Sequence, residues 1–285
     1  MKKLLTLIVT VLMTVSAVFG LTACKKSNLT GFDIELAREV VAYLNEENDT
    51  NVKIEFQEID WDSKEALLEN GTIDLVWNGM TITPARAAEM CVSVPYLYNK
   101  QVAVVRAADV SKYSNASLTN LLSFATATFG AEAGSAGESC VNTIFPLSNY
   151  ISSKSQLDAL TSLDNGNIDV AVIDSVMAGY YTSQGTYKDK LVVLDGLVLA
   201  TESYGIAAKK GNLALVSKIN DALIALRTTK YAEVAEDFGL TGSMALTAET
   251  VNLYKGATDN SWNEVVSSGK LVIGYTVFAP IAYTK

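Results

Sequence analysis

Histidine is absent from all 285 residues. That absence excludes a Ser-His-Asp triad, a Cys-His nucleophile pair and any histidine-ligated metal centre. Cysteine is scarce too: three occur, Cys24, Cys91 and Cys140. None has CxxC spacing, so no thiolate metal site is spelled out and no metal is expected. Cys91 and Cys140 are left as either one disulfide or two separate thiols. Only four prolines are present, and no Pro-rich or low-complexity stretch divides the chain into independent domains. Acids outnumber bases 31 to 22, for a formal net charge of −9, and there is no basic run. Nucleic acid and a polybasic membrane patch are therefore poor partners.

The N-terminus is not part of the fold pattern. Lys2 and Lys3 precede an apolar run from Leu4 to about Phe19, then Leu21-Thr22-Ala23-Cys24. A charged start, a short apolar stretch and small residues before a cleavage point read as a secretory signal over 1–23. The run is too short for a spanning helix. Leu-Thr-Ala-Cys resembles a lipobox, which implies that Cys24 is the lipidated first residue, with 24–28 as a tether. One lipidated residue holds a protein to a membrane surface without making it span.

Beyond the tether, helical and strand periodicities alternate. Ala37, Val40, Val41 and Leu44 share a helical face within 33–45, and Val52, Ile54 and Phe56 alternate as a strand. Further helices are predicted at 62–69, from about Ser135, at 155–163, from Asp174, at 213–227 and at 230–238. Further strands are predicted at 73–77, 101–106, 124–129, 168–173, 191–194 and 203–208. This alternation predicts an α/β fold with mostly parallel sheets. The polar stretch 242–260 is the expected linker.

Several segments carry a resemblance. Gly31-Phe32-Asp33-Ile34-Glu35-Leu36-Ala37 is followed by Trp61, by Gly71-Thr72-Ile73-Asp74 and by Gly79-Met80-Thr81-Ile82-Thr83-Pro84-Ala85-Arg86. Then come Pro95-Tyr96, Ala133-Gly134-Ser135, Ile168-Asp169, Ile173-Asp174 and Tyr204-Gly205-Ile206-Ala207. In this order they resemble the family 3 extracellular solute-binding proteins, the polar-amino-acid receptors of ABC importers. The resemblance implies a periplasmic-binding-protein-like type II fold, with two α/β lobes joined by two hinge strands. Lobe 1 would hold 29–95 and 205–285, lobe 2 would hold 101–199, and the hinges would fall at 96–100 and 200–204.

One segment is out of the family's order. Gly269 to Pro280 resembles the family's first strand and ligand loop, and Trp262–Ser268 resembles the helix before it, yet both follow everything else. A circular permutation accounts for this: old termini joined through about 245–260, new ones opened in the loop after strand one. A tandem duplication that lost its outer parts gives the same chain, as does an assembly artefact.

The resemblance also implies a site. A free amino acid brings a carboxylate and an ammonium, and burying either requires a partner. Arg86 matches the arginine that grips the α-carboxylate with its planar fork. Ser135 and the amide of Ala136 match a second carboxylate contact at a helix start, where a serine also serves as N-cap. Asp174 matches the acid that pairs with the α-ammonium. Asn78, Gly79 and Thr81 match a segment offering backbone groups and a hydroxyl. Phe278 and Trp61 match aromatics that cover the ligand side chain, whereas Trp77 is expected in the core. Glu132 matches a position that faces the ligand side chain, or else is a solvated glutamate. Tyr275 departs from the small or acidic residues often found near its place, which leaves specificity open.

The expected protein is thus an extracytoplasmic, lipid-anchored, monomeric amino-acid-binding component of an ABC importer. It would close on its ligand for delivery to the permease, without cofactor or catalysis. An amino-acid-sensing lipoprotein serving a signalling receptor would use the same pocket. A dehydratase-like enzyme on this fold would use carboxylates such as Glu132 and Asp174 as acid and base.

Overall fold

The computed structural model describes residues 28–183 and 185–285. The signal, Cys24 and most of the tether lie outside the described residues. In chain order the elements are β1 (Leu29–Thr30), α1 (Phe32–Asn48), β2 (Lys53–Glu58), α2 (Lys64–Glu69), β3 (Leu75–Thr81), α3 (Pro84–Glu89) and β4 (Met90–Val92). Next come β5 (Leu97–Arg106), β6 (Thr128–Glu132), α4 (Ala136–Ile144), β7 (Asn149–Ser153), α5 (Gln156–Asp164), β8 (Val170–Asp174) and α6 (Ser175–Ser183). Then follow β9 (Leu191–Lys209), α7 (Leu213–Leu226), α8 (Lys230–Asp237), α9 (Ser261–Ser268), β10 (Lys270–Tyr275) and β11 (Tyr283–Thr284).

The main sheet runs β2-β10-β3-β9-β5-β8-β6-β7, with β4 paired to β9. It is mixed, which corrects the expectation of mostly parallel strands. β10 lies parallel between β2 and β3, and β6 lies parallel between β7 and β8. The connection between these two parallel sets is antiparallel, through β5 and β9. Two separate strands were expected at 191–194 and 203–208. The structure has one strand of 19 residues, because Val198 and Ala200 to Glu202 continue the ladder against β5, with a register shift between Val193 and Val198. The strand expected at 124–129 starts later, at Thr128. Phe124, whose apolar character suggested a strand, instead packs as a core aromatic from a 3₁₀ turn. Periodicity passed over β7, α3 and β4, which are five, six and three residues long.

Each half has its own core. In one, Phe32, Leu36, Val40 and Leu44 project from one face of α1 and pack with Leu215, Ile219 and Leu223 of α7. Leu271 and Ile273 of β10 lie in the same core, 1% and 0% exposed. In the other, Phe129 stacks on Phe145 with centroids 4.3 Å apart, beside Val170 and Val172. Val170-Ala171-Val172-Ile173 is apolar without alternation because both faces of β8 are covered.

Two junctions depend on specific residues. Gly31 starts α1 at φ 128°, and a side chain there would collide with the Ile281 carbonyl. This is why the first motif opens on glycine: the loop after β10 crosses over the N-terminus of α1. Asp33 N then donates to Ile281 O at 3.0 Å. Residues 245–260 form no helix or strand. They are nevertheless tied down, since buried Asn252 donates to Ser217 O and to Asp221 Oδ1, both at 2.9 Å.

Candidate functional site

The site forms where strands of the two halves end facing each other. On one wall, β3 delivers Asn78, Gly79 and Thr81. Thr83 caps the short helix α3 by accepting from Arg86 N at 3.1 Å, and Pro84 presets its first turn. Arg86 therefore sits one turn inside a capped helix, beside the strand end. Trp61 and Phe278, 5% and 3% exposed, complete this wall with Thr276. On the opposite wall, Glu132 ends β6 and Asp174 ends β8. Ser135 caps α4 by accepting from Glu138 N at 3.1 Å, while Gly134 N donates to Glu138 Oε2 at 2.8 Å. This reciprocal arrangement resembles a capping box and fixes the turn that carries Ala136.

Trp61, Asn78, Gly79, Thr81, Arg86, Glu132, Ser135, Ala136, Asp174 and Phe278 line one cavity. The structure thus brings together all ten residues that the resemblance singled out. The walls have closed to leave about 10 Å³ between them. Thr81, Arg86 and Ala136 also line an adjoining open groove of about 890 Å³, which is the mouth of the cleft. Arg86 Nη2 crosses the cleft to donate to Gly134 O at 2.8 Å, and Nη1 donates to Thr81 O at 2.9 Å. Asn78 accepts from Thr276 N at 2.7 Å, so β3 and the loop after β10 are locked together at the cavity wall.

Cavity residues absent from the sequence expectation are Gln156 and Thr276. Gln156 carries a readable signal: it follows Ser155, an N-cap, as Ala136 follows Ser135. Thr276 directly follows β10 and falls in the segment already matched to the ligand loop. Lys64 gives no such signal, because a lysine in a short amphipathic helix normally faces water. Here it is 2% exposed, with Nζ 4.9 Å from the Trp61 ring centroid and 3.1 Å from Trp61 O.

The electrostatics are unusual. Among the described residues, neither Arg86 nor Asp174 takes part in an ion pair. Burial lowers the Arg86 pKa from its ordinary value. Asp174 is enclosed by amides: Oδ1 accepts from Asn99 Nδ2 and Gln101 Nε2, both at 2.5 Å, and Oδ2 accepts from Gln156 Nε2. Burial, and then the neighbouring Glu202 carboxylate, raise its pKa well above the ordinary value. Glu132 is 3% exposed, so the alternative of a solvated glutamate is ruled out. Burial pushes its pKa up to about 8 against the opposing pull of Lys64, and its Oε1 has no hydrogen-bond partner. Trp77 lies in the core as expected, fully buried. Cys91 is buried and Cys140 half-buried, and both are free thiols.

Two lobes of mixed α/β structure, joined by paired strands and closing over a charged cleft, define a type II periplasmic-binding-protein-like receptor. The family model for bacterial extracellular solute-binding proteins, family 3, matches residues 11–241, and the chain belongs to that family. It is 31% identical over 227 residues to a probable histidine-binding protein of Neisseria gonorrhoeae, covering 77% of this chain and 79% of that one. It is 28% identical over 219 residues to the ABC transporter glutamine-binding protein GlnH of Bacillus subtilis, covering 76% and 75%. Among solved structures, an ancestral arginine-binding protein bound to glutamine matches at 31% identity and TM-score 0.63, over 73% of this chain and 86% of that one. An arginine-bound ABC transporter substrate-binding protein, AbpA of Streptococcus pneumoniae, shares the fold at TM-score 0.64 and 24% identity, over 73% and 83%.

Proposed function

We propose that this chain is the amino-acid-binding lipoprotein of an ABC importer, taking a free amino acid between its lobes and presenting the closed form to the permease. The observation that carries the reading is the pair Arg86 and Asp174. A half-buried cation and a buried acid face the same cavity, and neither has a protein ion-pair partner among the described residues. A zwitterion supplies the missing charge to each. Arg86 would hold the α-carboxylate through its fork, helped by Ser135 and the Ala136 amide at the start of α4. Asp174 would hold the α-ammonium, which favours the ionised carboxylate and offsets the effect of burial. Thr81 and the Asn78–Gly79 turn would supply further polar contacts. Trp61 and Phe278 would cover the side chain, with Glu132 facing it.

Lobe 1 in this reading comprises 29–95 and 205–285, lobe 2 comprises 101–199, and 96–100 with 200–204 are the hinges. The pairing of Leu97 with Tyr204 and of Gln101 with Ala200 supports that division. We further infer a circularly permuted order, in which β10 is the displaced first strand of lobe 1. The position of β10 between β2 and β3 supports this, as does the end of the family match at residue 241, ahead of β10. Cys24 would carry the lipid, placing the protein at the outer face of the cell membrane.

A thermal-shift screen of residues 24–285 against the twenty common amino acids and cystine tests the function. A binder present at one hundred times its Kd adds about 2.7 kcal/mol of apparent stability, which is easily resolved. No shift with any of them would refute amino-acid binding.

A further inference from the structure

A buried carboxylate ties the cleft wall to the hinge. Asp33 lies in the first turn of α1 and is 1% exposed. Its Oδ2 accepts from Gly79 N at 2.8 Å and from the Tyr96 hydroxyl at 2.7 Å. Gly79 N also donates to the Tyr96 hydroxyl oxygen at 3.3 Å, closing a triangle. Its three corners come from three elements: the start of α1, the cleft end of β3, and the residue just before β5. Tyr96 is itself fixed to the returning hinge strand, its N donating to Tyr204 O at 2.9 Å.

The environment gives no reason for a charge here other than these two bonds. Phe32, Trp77 and Tyr204 rings surround Tyr96, with centroids 6.2 to 6.4 Å away. Asp33 Oδ1 has no hydrogen-bond partner among the described residues. A buried carboxylate with a free oxygen is costlier than an apolar side chain of similar size. Burial accordingly raises its pKa to about 7. Two donors converging on one carboxylate oxygen form stronger bonds than neutral acceptors would give. The cost is local to Asp33, whereas the bonds act on Gly79, a residue of the cavity wall, and on Tyr96, at the entry to the hinge.

We propose that Asp33 is a positioning residue for ligand binding: it holds the Gly79 amide and the Tyr96 hydroxyl together, and so sets the cleft-lining turn against the hinge. This rests on the reading of the cleft as an amino-acid site. Asp33 touches no ligand in this scheme. It turns the Gly79 N–H away from the cavity and keeps the turn in one orientation, so that binding does not have to order it.

The test compares wild type, D33N, Y96F and the double variant by calorimetric titration with L-histidine, L-glutamine, L-glutamate and L-arginine. Unfolding midpoints are measured without ligand, and the Gly79 amide proton is followed by NMR. At about pH 8, where Asp33 is mostly ionised, D33N should raise Kd about tenfold to a hundredfold for every amino acid that wild type binds, the loss expected for charged hydrogen bonds. Y96F should weaken binding less, and the double variant should be no worse than D33N alone, because both act through one network. The midpoint of D33N should equal or exceed that of wild type, since a buried charge is removed. The Gly79 amide proton should move upfield in D33N. A purely structural aspartate predicts the reverse, a lower midpoint with unchanged Kd. Wild-type binding with D33N inside about twofold in Kd overturns the proposal, as does an unmoved Gly79 amide. If D33N does not unfold cooperatively, Y96F decides on the same two readouts. If wild type binds none of the four, the titrations use the binder that the thermal-shift screen identifies, and a screen without any binder refutes the reading of the cleft and the proposal with it.

Discussion

Arg86 on one lobe donates through Nη2 to the carbonyl oxygen of Gly134 on the other, at 2.8 Å. The guanidinium therefore touches both walls of the cleft at once; its hydrogen-bond acceptors among the described residues are carbonyls, with the Glu65, Glu202, Asp174 and Glu132 carboxylates acting on it from beyond ion-pair distance. Replacing it with methionine should remove ligand binding, costing about 3 kcal/mol or two orders of magnitude in Kd. The unliganded protein should not be destabilised, because a half-buried cation without a close ionic partner contributes little to folding. Titration calorimetry and thermal unfolding of R86M read the two effects separately. A loss of stability equal to the loss of affinity would contradict this account.

Gly134 offers a complementary test. It sits at φ 67°, and a Cβ there would lie 2.8 Å from Asp62 Oδ1 on the opposite lobe. Gly134→Ala should therefore disfavour the closed arrangement as well as straining the turn by about 1 kcal/mol. Affinity should fall by more than that strain explains, and small-angle scattering with saturating ligand should show a larger radius of gyration than wild type. Wild-type affinity in this variant would mean that the walls need not meet here.

Two of the raised carboxyls, Asp33 and Glu132, set a pH dependence to which Asp174, also raised, adds in the same direction. Asp33 titrates at about 7 when folded against 3.8 ordinarily, and Glu132 at about 8 against 4.5. Both folded values lie above the unfolded ones, so each group's protonation favours the folded state at low pH. That contribution is complete below the unfolded value and is lost progressively as pH rises toward the folded value. Stability without ligand should fall between about pH 4 and 8, with Asp33 accounting for up to about 4 kcal/mol. D33N should flatten the profile up to about pH 7, and E132Q should flatten it up to about pH 8. Chemical denaturation at a series of pH values measures both slopes, and a profile that rises over this window would contradict the assignment.

Deleting 270–285 should abolish cooperative folding of lobe 1. It removes the strand that both β2 and β3 pair with, together with Leu271, Ile273, Phe278 and Ile281, each 3% exposed or less. Each buried side chain of this kind contributes about 1.5–3 kcal/mol, so the four together are comparable to the whole stability of an ordinary domain. Circular dichroism and ligand titration of the truncated protein check this. Retained micromolar binding would overturn it.

The sequence shows the long elements and the cleft with unequal clarity. α1 and α7 announce themselves because a single apolar face recurs over four turns. β7 and β4 are too short and too exposed or irregular for a period to register. β9 is obscured by interruptions, since Asp195-Gly196 and Thr201-Glu202 look like breaks although the strand runs through both. The ten cavity residues were recoverable through the family resemblance, whose motifs fall at strand ends, at helix starts and in the loop after β10. Lys64 and the amide cage of Asn99, Gln101 and Gln156 around Asp174 were not. Their role comes from side chains converging from distant strands, and nothing in local spacing encodes that. Asp33 was visible as a motif residue, but its bonds to Gly79 and Tyr96 required the tertiary fold.

Trp61 has an optical consequence. The chain has three tryptophans. Trp77 is sealed in the core, and Trp262 packs against that core beneath α7 and away from the cleft. Of the three, Trp61 lines the cleft cavity, with the Lys64 ammonium over its ring and Glu132 across the cavity. Opening of the lobes would wet one indole out of three and separate it from the opposite carboxyl. The protein's own emission spectrum therefore carries a readout of the cleft without any added label, and a W61F variant supplies its blank.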